Sequence, residues 1–304
     1  SVSESCEMTQ FILRLLPEAE RLQLLSIPDW HEQTALHCAA ESGNIVRLKN
    51  TLSLYQESER SQAVRVEGRN GRTVLHCVAK SGNTDCIATI IALYPESERR
   101  QALDLKTHFG STVLHRAVSS NNIEAIKAIL ALYPESERLQ ILTMQHAGGK
   151  TILNEAAWSE NTTTLEAVLA LYPESERVQS MFMQDDYGMT ILHRMVQNTN
   201  RYFHLQFIIT QLPHSERVRL VNVQDLEGRS VLHYAARKLN IESVKLILSS
   251  LPESGRLQAV CMQDRRGRSV LHYAAHSTSP SGVTWYMYCN GGLELDENEM
   301  EAFF

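Results

Sequence analysis

The 304-residue sequence predicts an all-α solenoid, in which short helical repeats stack and each repeat packs only on its neighbours. Two observations predict this class: a string that returns at a fixed period, and a helical spacing of apolar residues inside each period. The string reads Thr/Ser-x-Leu-His, and its copies are 39 residues apart except for one interval of 40. The copies begin at Thr34, Thr73, Thr112, Thr151, Thr190, Ser230 and Ser269, and Asn154 replaces the histidine of the fourth copy.

Each repeat is predicted to contain three helices, of which the first begins at the string. An asparagine seven residues after the histidine position suits the N-cap of the second helix, because its side chain can accept a hydrogen bond from a backbone N–H group. The second helix shows helical apolar spacing, as at Ile126, Ile129 and Leu130. The predicted capping residues are Asn44, Asn83, Asn122, Asn161, Asn200 and Asn240.

A Pro-Glu-Ser-Glu-Arg string predicts the third helix, because proline fits the first helical turn and early acids favour the positive end of the helix dipole. It begins at Pro95, Pro134 and Pro173, and in altered form at Gln56, Pro213 and Pro252. A glycine two residues before each later Thr or Ser marks a turn, and Glu32 takes that place in the first repeat.

The single 40-residue interval predicts an extra residue in the turn near Asn200 and Arg201. An insertion inside the following helix would rotate its apolar face by about 100°. The apolar residues of that helix keep their spacing when counted back from Pro213, which favours the turn.

The repeats divide the chain into three parts. Residues 1–33 are predicted to be a half repeat or an N-terminal cap, because Pro17 lies 17 residues before Thr34, as Pro95 does before Thr112. Residues 34–276 are predicted to be seven repeats, the last one truncated. Residues 277–304 match no repeat, and we interpret them as a divergent C-terminal cap followed by an acidic tail.

The Gly-x-Thr-x-Leu-His-x-Ala-Ala pattern resembles the ankyrin repeat over about residues 10–276. Ankyrin repeats have about 33 residues and a Thr-Pro-Leu-His signature. Here Val, Ile or Ala replaces the proline, and the Pro-Glu-Ser-Glu-Arg helix lengthens the period. The resemblance implies an ankyrin-like α-solenoid with an extra short helix per repeat, acting as a scaffold that binds a protein partner on its concave face.

Long-period arrays of this kind also resemble type IV-secreted ankyrin effectors of vacuole-dwelling bacteria. That resemblance implies a bacterial effector that acts in the host cytoplasm on a host protein, and the glutamate-rich C-terminus resembles the export signals of such effectors. Without export, the chain is expected to be an intracellular, monomeric scaffold.

The candidate binding residues lie at the turn tips and just after the Ala-Ala of the first helix. Phe109, Trp158 and Tyr187 come from three consecutive repeats, and exposed aromatic residues are typical of binding hot spots. The alternative for Trp158 is burial within the stack. Arginines of the last repeats form a basic end, with Lys238 beside them. The predicted partner-binding residues are His108, Phe109, Lys150, Trp158, Tyr187, Arg229, Arg237, Arg265, Arg266 and Arg268.

No catalytic residue, metal ligand or cofactor is predicted. The recurring histidines are expected to brace their own turn and the neighbouring repeat through hydrogen bonds, as in ankyrin folds. The Gly-Gly-Lys-Thr segment at 148–151 is not a phosphate loop, because Met144 occupies a position that requires glycine. A nucleophilic site built from Cys289, His272, His276 and Asp296 stays open.

Two alternative functions therefore stay open. The first is an enzyme, or a fragment of one, with its activity in the C-terminal cap or in a domain absent from this chain. The second is a polyanion binder that takes nucleic acid or a phospholipid headgroup at the basic C-terminal repeats. The net charge of −6 disfavours nucleic acid, and the short apolar runs predict no membrane insertion.

Overall fold

The computed structural model describes residues 8, 11–12, 15–146 and 148–276. These residues form helices and no β-strand, which confirms the predicted all-α class. They belong to two compact units, and the division falls between Arg194 and Met195. The predicted C-terminal cap and tail, with Cys289 and Asp296, lie outside the described residues.

The three predicted helices recur in the predicted order along the described chain. The first helices are Ala35–Glu41, Val74–Ser81, Val113–Val118, Ile152–Ala157, Ile191–Val196, Val231–Arg237 and Val270–His276. The second helices are Ile45–Leu52, Thr84–Ile91, Ile123–Ala131, Thr162–Leu171, Tyr202–Gln211 and Ile241–Ser249. The third helices are Glu18–Ser26, Glu57–Ala63, Glu96–Asp104, Glu135–Thr143, Glu174–Met181, His214–Val221 and Glu253–Cys261.

Asparagine side chains cap the second helices at five of the six predicted positions. The Asn83 carboxamide oxygen, for example, accepts a hydrogen bond from the Cys86 N–H at 3.0 Å. Each such bond satisfies a backbone donor that the helix itself cannot pair. The five capping residues are Asn44, Asn83, Asn122, Asn161 and Asn240.

The sixth predicted cap, Asn200, is wrong. Asn198 caps a 3₁₀ turn over Thr199–Arg201, and its side chain accepts from the Asn200 N–H at 3.0 Å. The α-helix Tyr202–Gln211 follows without interruption. The extra residue therefore lies in the turn, as predicted, and its accommodation moves the cap two residues towards the N-terminus.

An arginine anchors each third helix to the end of the second. The Arg138 Nε–H donates to the Tyr133 carbonyl oxygen at 3.2 Å, and Arg177 makes the same bond to Tyr172. The acceptor is one of the carbonyl groups that the end of the second helix leaves unpaired. The arginine of the Pro-Glu-Ser-Glu-Arg string is thus a structural residue. The same bond recurs at Arg99, Arg217 and Arg256.

In four repeats of the N-terminal unit, a tyrosine just before the third helix links that helix to the third helix of the preceding repeat. In the N-terminal unit the Tyr94 hydroxyl donates to the Val64 carbonyl oxygen at 3.0 Å, and the Tyr172 hydroxyl donates to that of Leu142 at 2.6 Å. These rings are almost fully buried, so an unpaired hydroxyl would be costly there. The link fixes the spacing between successive third helices.

The recurring histidine joins its own turn to the next repeat at residues 37, 76 and 233, as the sequence predicts. His115 keeps the bond to its own turn, but its Nε2 has no hydrogen-bond partner among the described residues. His76 Nδ1 accepts the Thr73 N–H at 3.2 Å and lies 2.9 Å from the Thr73 hydroxyl. Because Nδ1 is an acceptor, the ring proton is on Nε2, which donates to the Leu105 carbonyl oxygen at 3.1 Å. His37 and His233 make equivalent bonds to the carbonyl oxygens of Arg72 and Arg268.

These histidines are held neutral. Burial lowers the pKa of His76 from 6.5 to about 4 and that of His115 to about 3, and it also lowers the pKa of His37 and His233. A protonated ring would lose the Nδ1 acceptor and place a charge among apolar side chains. The neutral tautomer is therefore part of the folded structure.

We expect the fold to lose stability as pH falls. Between the unfolded pKa of 6.5 and the folded pKa of about 4, His76 takes up a proton only when the chain unfolds. The contribution is complete above 6.5 and lost as pH falls towards 4, which amounts to about 3 kcal/mol for a shift of this size. Urea unfolding midpoints measured between pH 7 and pH 4 check this.

The His76→Asn variant is the matched control for this titration. Asn154 occupies the same repeat position, and its side-chain oxygen accepts the Thr151 N–H at 3.1 Å, so asparagine fits without titrating. The variant should unfold with a shallower pH dependence than the native chain. Equal pH dependence in both proteins would contradict a neutral, buried His76.

Glycines with positive φ close the turns before the first helices. Gly149 has a φ of 69°, and a Cβ placed there would lie 2.4 Å from the backbone nitrogen of Asp186 in the next turn. Gly267 has a similar φ of 73°, but a Cβ there would meet nothing within 4 Å. A substitution at Gly267 therefore tests backbone strain alone, whereas one at Gly149 tests backbone strain together with close packing between turns.

Gly267→Ala should cost about 1 kcal/mol, the cost of placing an L-residue in the left-handed region. Gly149→Ala should cost more than that, because a turn backbone must also move away from the new methyl group. Denaturant titration of both variants measures the difference. Equal losses would contradict the close packing of Gly149 against the next turn.

Candidate partner-binding face

The tips of successive turns are held rigidly within each compact unit. In the C-terminal unit Asp225 N–H donates to the Arg229 carbonyl oxygen at 2.9 Å, which closes one turn. The Arg265 N–H of the following turn donates to the Glu227 carbonyl oxygen at 2.9 Å. In the N-terminal unit His108 and Asp186 donate in the same way to the turns that precede them. Side chains on these turns are therefore presented from fixed backbone positions.

Three aromatic side chains project from this framework in the N-terminal unit. Phe109 and Tyr187 lie at turn tips and are 58% and 50% exposed. Trp158 ends the first helix Ile152–Ala157 and is 42% exposed, so the stack does not bury it. His108 is exposed beside Phe109, and Lys150 is half-buried at the next turn. The predicted aromatic and basic residues of this unit thus lie on turns or at a helix end.

A buried aspartate in the same turn forms an ion pair with each of two predicted basic residues. The Arg229 Nε–H donates to Asp225 Oδ2 at 2.7 Å, and the Arg268 Nε–H donates to Asp264 Oδ2 at 2.8 Å. Both carboxylates are buried, and the side chain of Arg229 is 11% exposed. These two guanidinium groups neutralise acids inside their own turns.

Of the remaining predicted members of the basic end, Arg265 and Arg266 are exposed at the last described turn. Arg237 is half-buried at the end of its helix, as Arg229 and Arg268 are half-buried in their turns. The structure therefore separates two exposed cations, Arg265 and Arg266, from two arginines that pair with acids of their own turns.

In the N-terminal unit the side chain just after the repeat histidine position pairs with a side chain nine residues earlier, and the pair differs between repeats. Arg194 donates to Asp185, nine residues earlier, through Nε at 2.8 Å. One repeat before, the acid stands at the later position and the histidine nine residues earlier: His146 Nε2 lies 2.8 Å from Glu155 Oε1. The sequence analysis missed these pairs, although the Gln-Asp-x-x-Gly turns, each followed nine residues later by Arg or Tyr, carry the signal.

The described residues contain no group of three or more His, Cys, Asp or Glu side chains that could hold a metal ion. No helix in the described part of the chain is long and apolar enough to cross a membrane. Cys38, Cys77, Cys86 and Cys261 are free thiols. Of the proposed nucleophilic site, only His272 and His276 fall within the described residues.

Comparisons with solved structures find similar folds at low sequence identity. The ankyrin repeat domain of Bcl-3, a member of the IkappaB protein family, has a TM-score of 0.57 at 18% identity, covering 80% of this chain and 94% of that one. A chain from the complex of a predatory endopeptidase of Bdellovibrio bacteriovorus with its immunity protein has a TM-score of 0.53 at 20% identity, covering 72% of this chain and 98% of that one. No curated protein sequence matches significantly.

The family model for ankyrin repeats in three copies matches residues 49–140 and 192–297, which is more than half of the chain. The matched segments include five of the recurring Thr/Ser-x-Leu-His strings in whole or in part. With the helical stack, the histidine brackets and the rigid turns already described, this match shows that the chain belongs to the ankyrin repeat family.

Proposed function

We propose that the chain is a protein-interaction scaffold and that it binds its partner through the turn tips and first-helix ends of the N-terminal unit. The observation that carries the proposal is the exposure of Phe109, Trp158 and Tyr187 in three consecutive repeats. Large exposed aromatic groups on a rigid framework lose little conformational entropy on binding, which is why they dominate interface energies. His108 and Lys150 supply polar contacts beside them.

The surface cations of the last described repeats form a secondary contact in this proposal. Arg237, Arg265 and Arg266 supply positive charge there, whereas Arg229 and Arg268 hold the turns together. Charges at the edge of an interface raise the association rate more than the final affinity. The polyanion-binding alternative loses support, because two of its proposed cations are already neutralised within the fold.

The proposed partner is a protein of a host cell, and the chain would act there as a secreted bacterial effector. Support comes from the long repeat period and the glutamate-rich C-terminus, both of which resemble type IV-secreted ankyrin effectors. A reporter fused to the chain should reach the host cytosol, and removal of residues 293–304 should abolish delivery without changing the thermal melt. Undiminished delivery of the shortened chain would contradict this part of the proposal.

Trp158→Ala is expected to weaken partner binding by at least about 30-fold, the loss typical of a hot-spot aromatic. Partners captured from eukaryotic lysate on the native chain are identified by mass spectrometry, and their affinities for each variant are then titrated. Leu132→Ala is the control, because Leu132 is 43% exposed, like Trp158 at 42%, but ends a second helix. Equal losses in both variants, or no loss in either, would place the binding surface elsewhere.

A further inference from the structure

Arg116 carries a charge that the fold does not neutralise. It occupies the repeat position of Arg194, which pairs with Asp185 nine residues earlier. The residue nine positions before Arg116 is Thr107, whose side chain is buried and uncharged. No described acid lies within ion-pair distance of Arg116, and its Nε has no acceptor among the described residues. The chain thus keeps the arginine of the pair and lacks its acid.

Arg72 of the preceding repeat contributes a second positive charge that acts on Arg116. The charges of Arg72 and Arg116 both act on Cys77, where burial raises the pKa of the thiol to about 12 and the two cations oppose that shift. Burial, followed by the charge of Arg72, lowers the pKa of the Arg116 guanidinium. The positive charges of Arg72 and Arg116 therefore act on each other and on Cys77, and no described acid forms an ion pair with either arginine.

The two acids whose charges act on Arg116 pair with other residues. Glu41 Oε1 accepts from Lys80 at 2.8 Å, and Glu155 Oε1 lies 2.8 Å from His146 Nε2. Both acids reduce the local positive field without closing an ion pair on Arg116. They would also repel a polyanion that covered the whole face more strongly than a single carboxylate.

We infer that Arg72 and Arg116 form an anion subsite for an aspartate or glutamate of the protein partner, with an apolar residue of the same partner segment packed on Phe109 or Trp158. This inference rests on the proposed function and names the chemistry of its partner. Phe109 lies on the turn before the helix that carries Arg116, and Trp158 ends the first helix of the next repeat. An arginine–carboxylate contact is directional and charge-assisted, so it supplies specificity beside the apolar contact.

The chain offers a variant that restores the missing acid. Thr107 Oγ1 accepts the Ser111 N–H at 3.2 Å, as Asp185 Oδ1 accepts the Met189 N–H at 2.9 Å, so aspartate fits the turn. Thr107→Asp should pair with Arg116 as Asp185 pairs with Arg194. It should raise the melting temperature and at the same time remove the anion subsite.

The probe is a displayed library of random 12-residue peptides, selected on the native full-length chain. The selected peptides should be enriched in Asp or Glu next to an apolar residue. They should bind Arg116→Gln and Thr107→Asp about tenfold more weakly, the loss expected for one charge-assisted hydrogen bond. Lys127→Gln, on the second helix of the same repeat, is the charge control and should bind as the native chain does.

A selection that yields no binder, or binders without acidic enrichment, would overturn the inference, as would acidic peptides that bind Arg116→Gln and Thr107→Asp with native affinity. Binders that lose affinity with Trp158→Ala but not with these two variants leave the proposed function standing and remove only the anion subsite. Binders whose affinity is the same for all three variants contradict both the proposed function and the anion subsite.

A labelled single-stranded DNA tests the nucleic-acid alternative. If this DNA binds more tightly than the peptides and Arg116→Gln abolishes its binding, the subsite serves nucleic acid and the inference is wrong. Arg72→Gln replaces Arg116→Gln if the latter does not fold by circular dichroism.

Discussion

The buried neutral histidine is the interaction on which the rest of the structure depends. One imidazole accepts a hydrogen bond from its own turn and donates another to a backbone carbonyl of the next repeat, as His76 does between Thr73 and Leu105. A repeat of this size cannot bury its apolar face alone, so the bond between repeats matters as much as the bond within one. The geometry requires one tautomer, and burial enforces it by disfavouring the charged ring.

The third helix adds hydrogen bonds of its own to those of the histidine, within its repeat and to the preceding repeat. Its arginine closes the end of the second helix, and the tyrosine before its proline reaches the third helix of the preceding repeat. Apart from the Tyr133 hydroxyl, which donates to Asp104, these groups donate to backbone carbonyls and therefore place few demands on neighbouring side chains. The turn tips and the position after the repeat histidine are left free to vary, and that is where Phe109, Arg116 and Tyr187 lie.

The periodic part of the structure could be predicted from the sequence, because a feature that recurs at a fixed spacing must serve the repeat itself. The order of helices, five asparagine caps and the histidine brackets follow from this argument. Asn200 does not cap the second helix, because the extra residue of this repeat changes the turn locally. Asn198 caps a 3₁₀ turn there instead.

The candidate site was less predictable, since it consists of the positions that do not recur. The sequence shows the charge of Arg229, but only the structure shows that Asp225 neutralises it. The same holds for Trp158, whose exposure depends on how the neighbouring repeat packs. The lack of an acid at Thr107 has a meaning only beside the pair that Asp185 and Arg194 form at the equivalent positions, and the structure shows that pair.

The most direct test of this account is a ¹⁵N nuclear magnetic resonance titration of the imidazole nitrogens of His76. The account predicts a proton on Nε2, an unprotonated Nδ1, and no change in these signals as pH falls through 6.5, because burial lowers the pKa to about 4. A ring that titrates near 6.5, or one with its proton on Nδ1, would contradict the central role given to the neutral bracket.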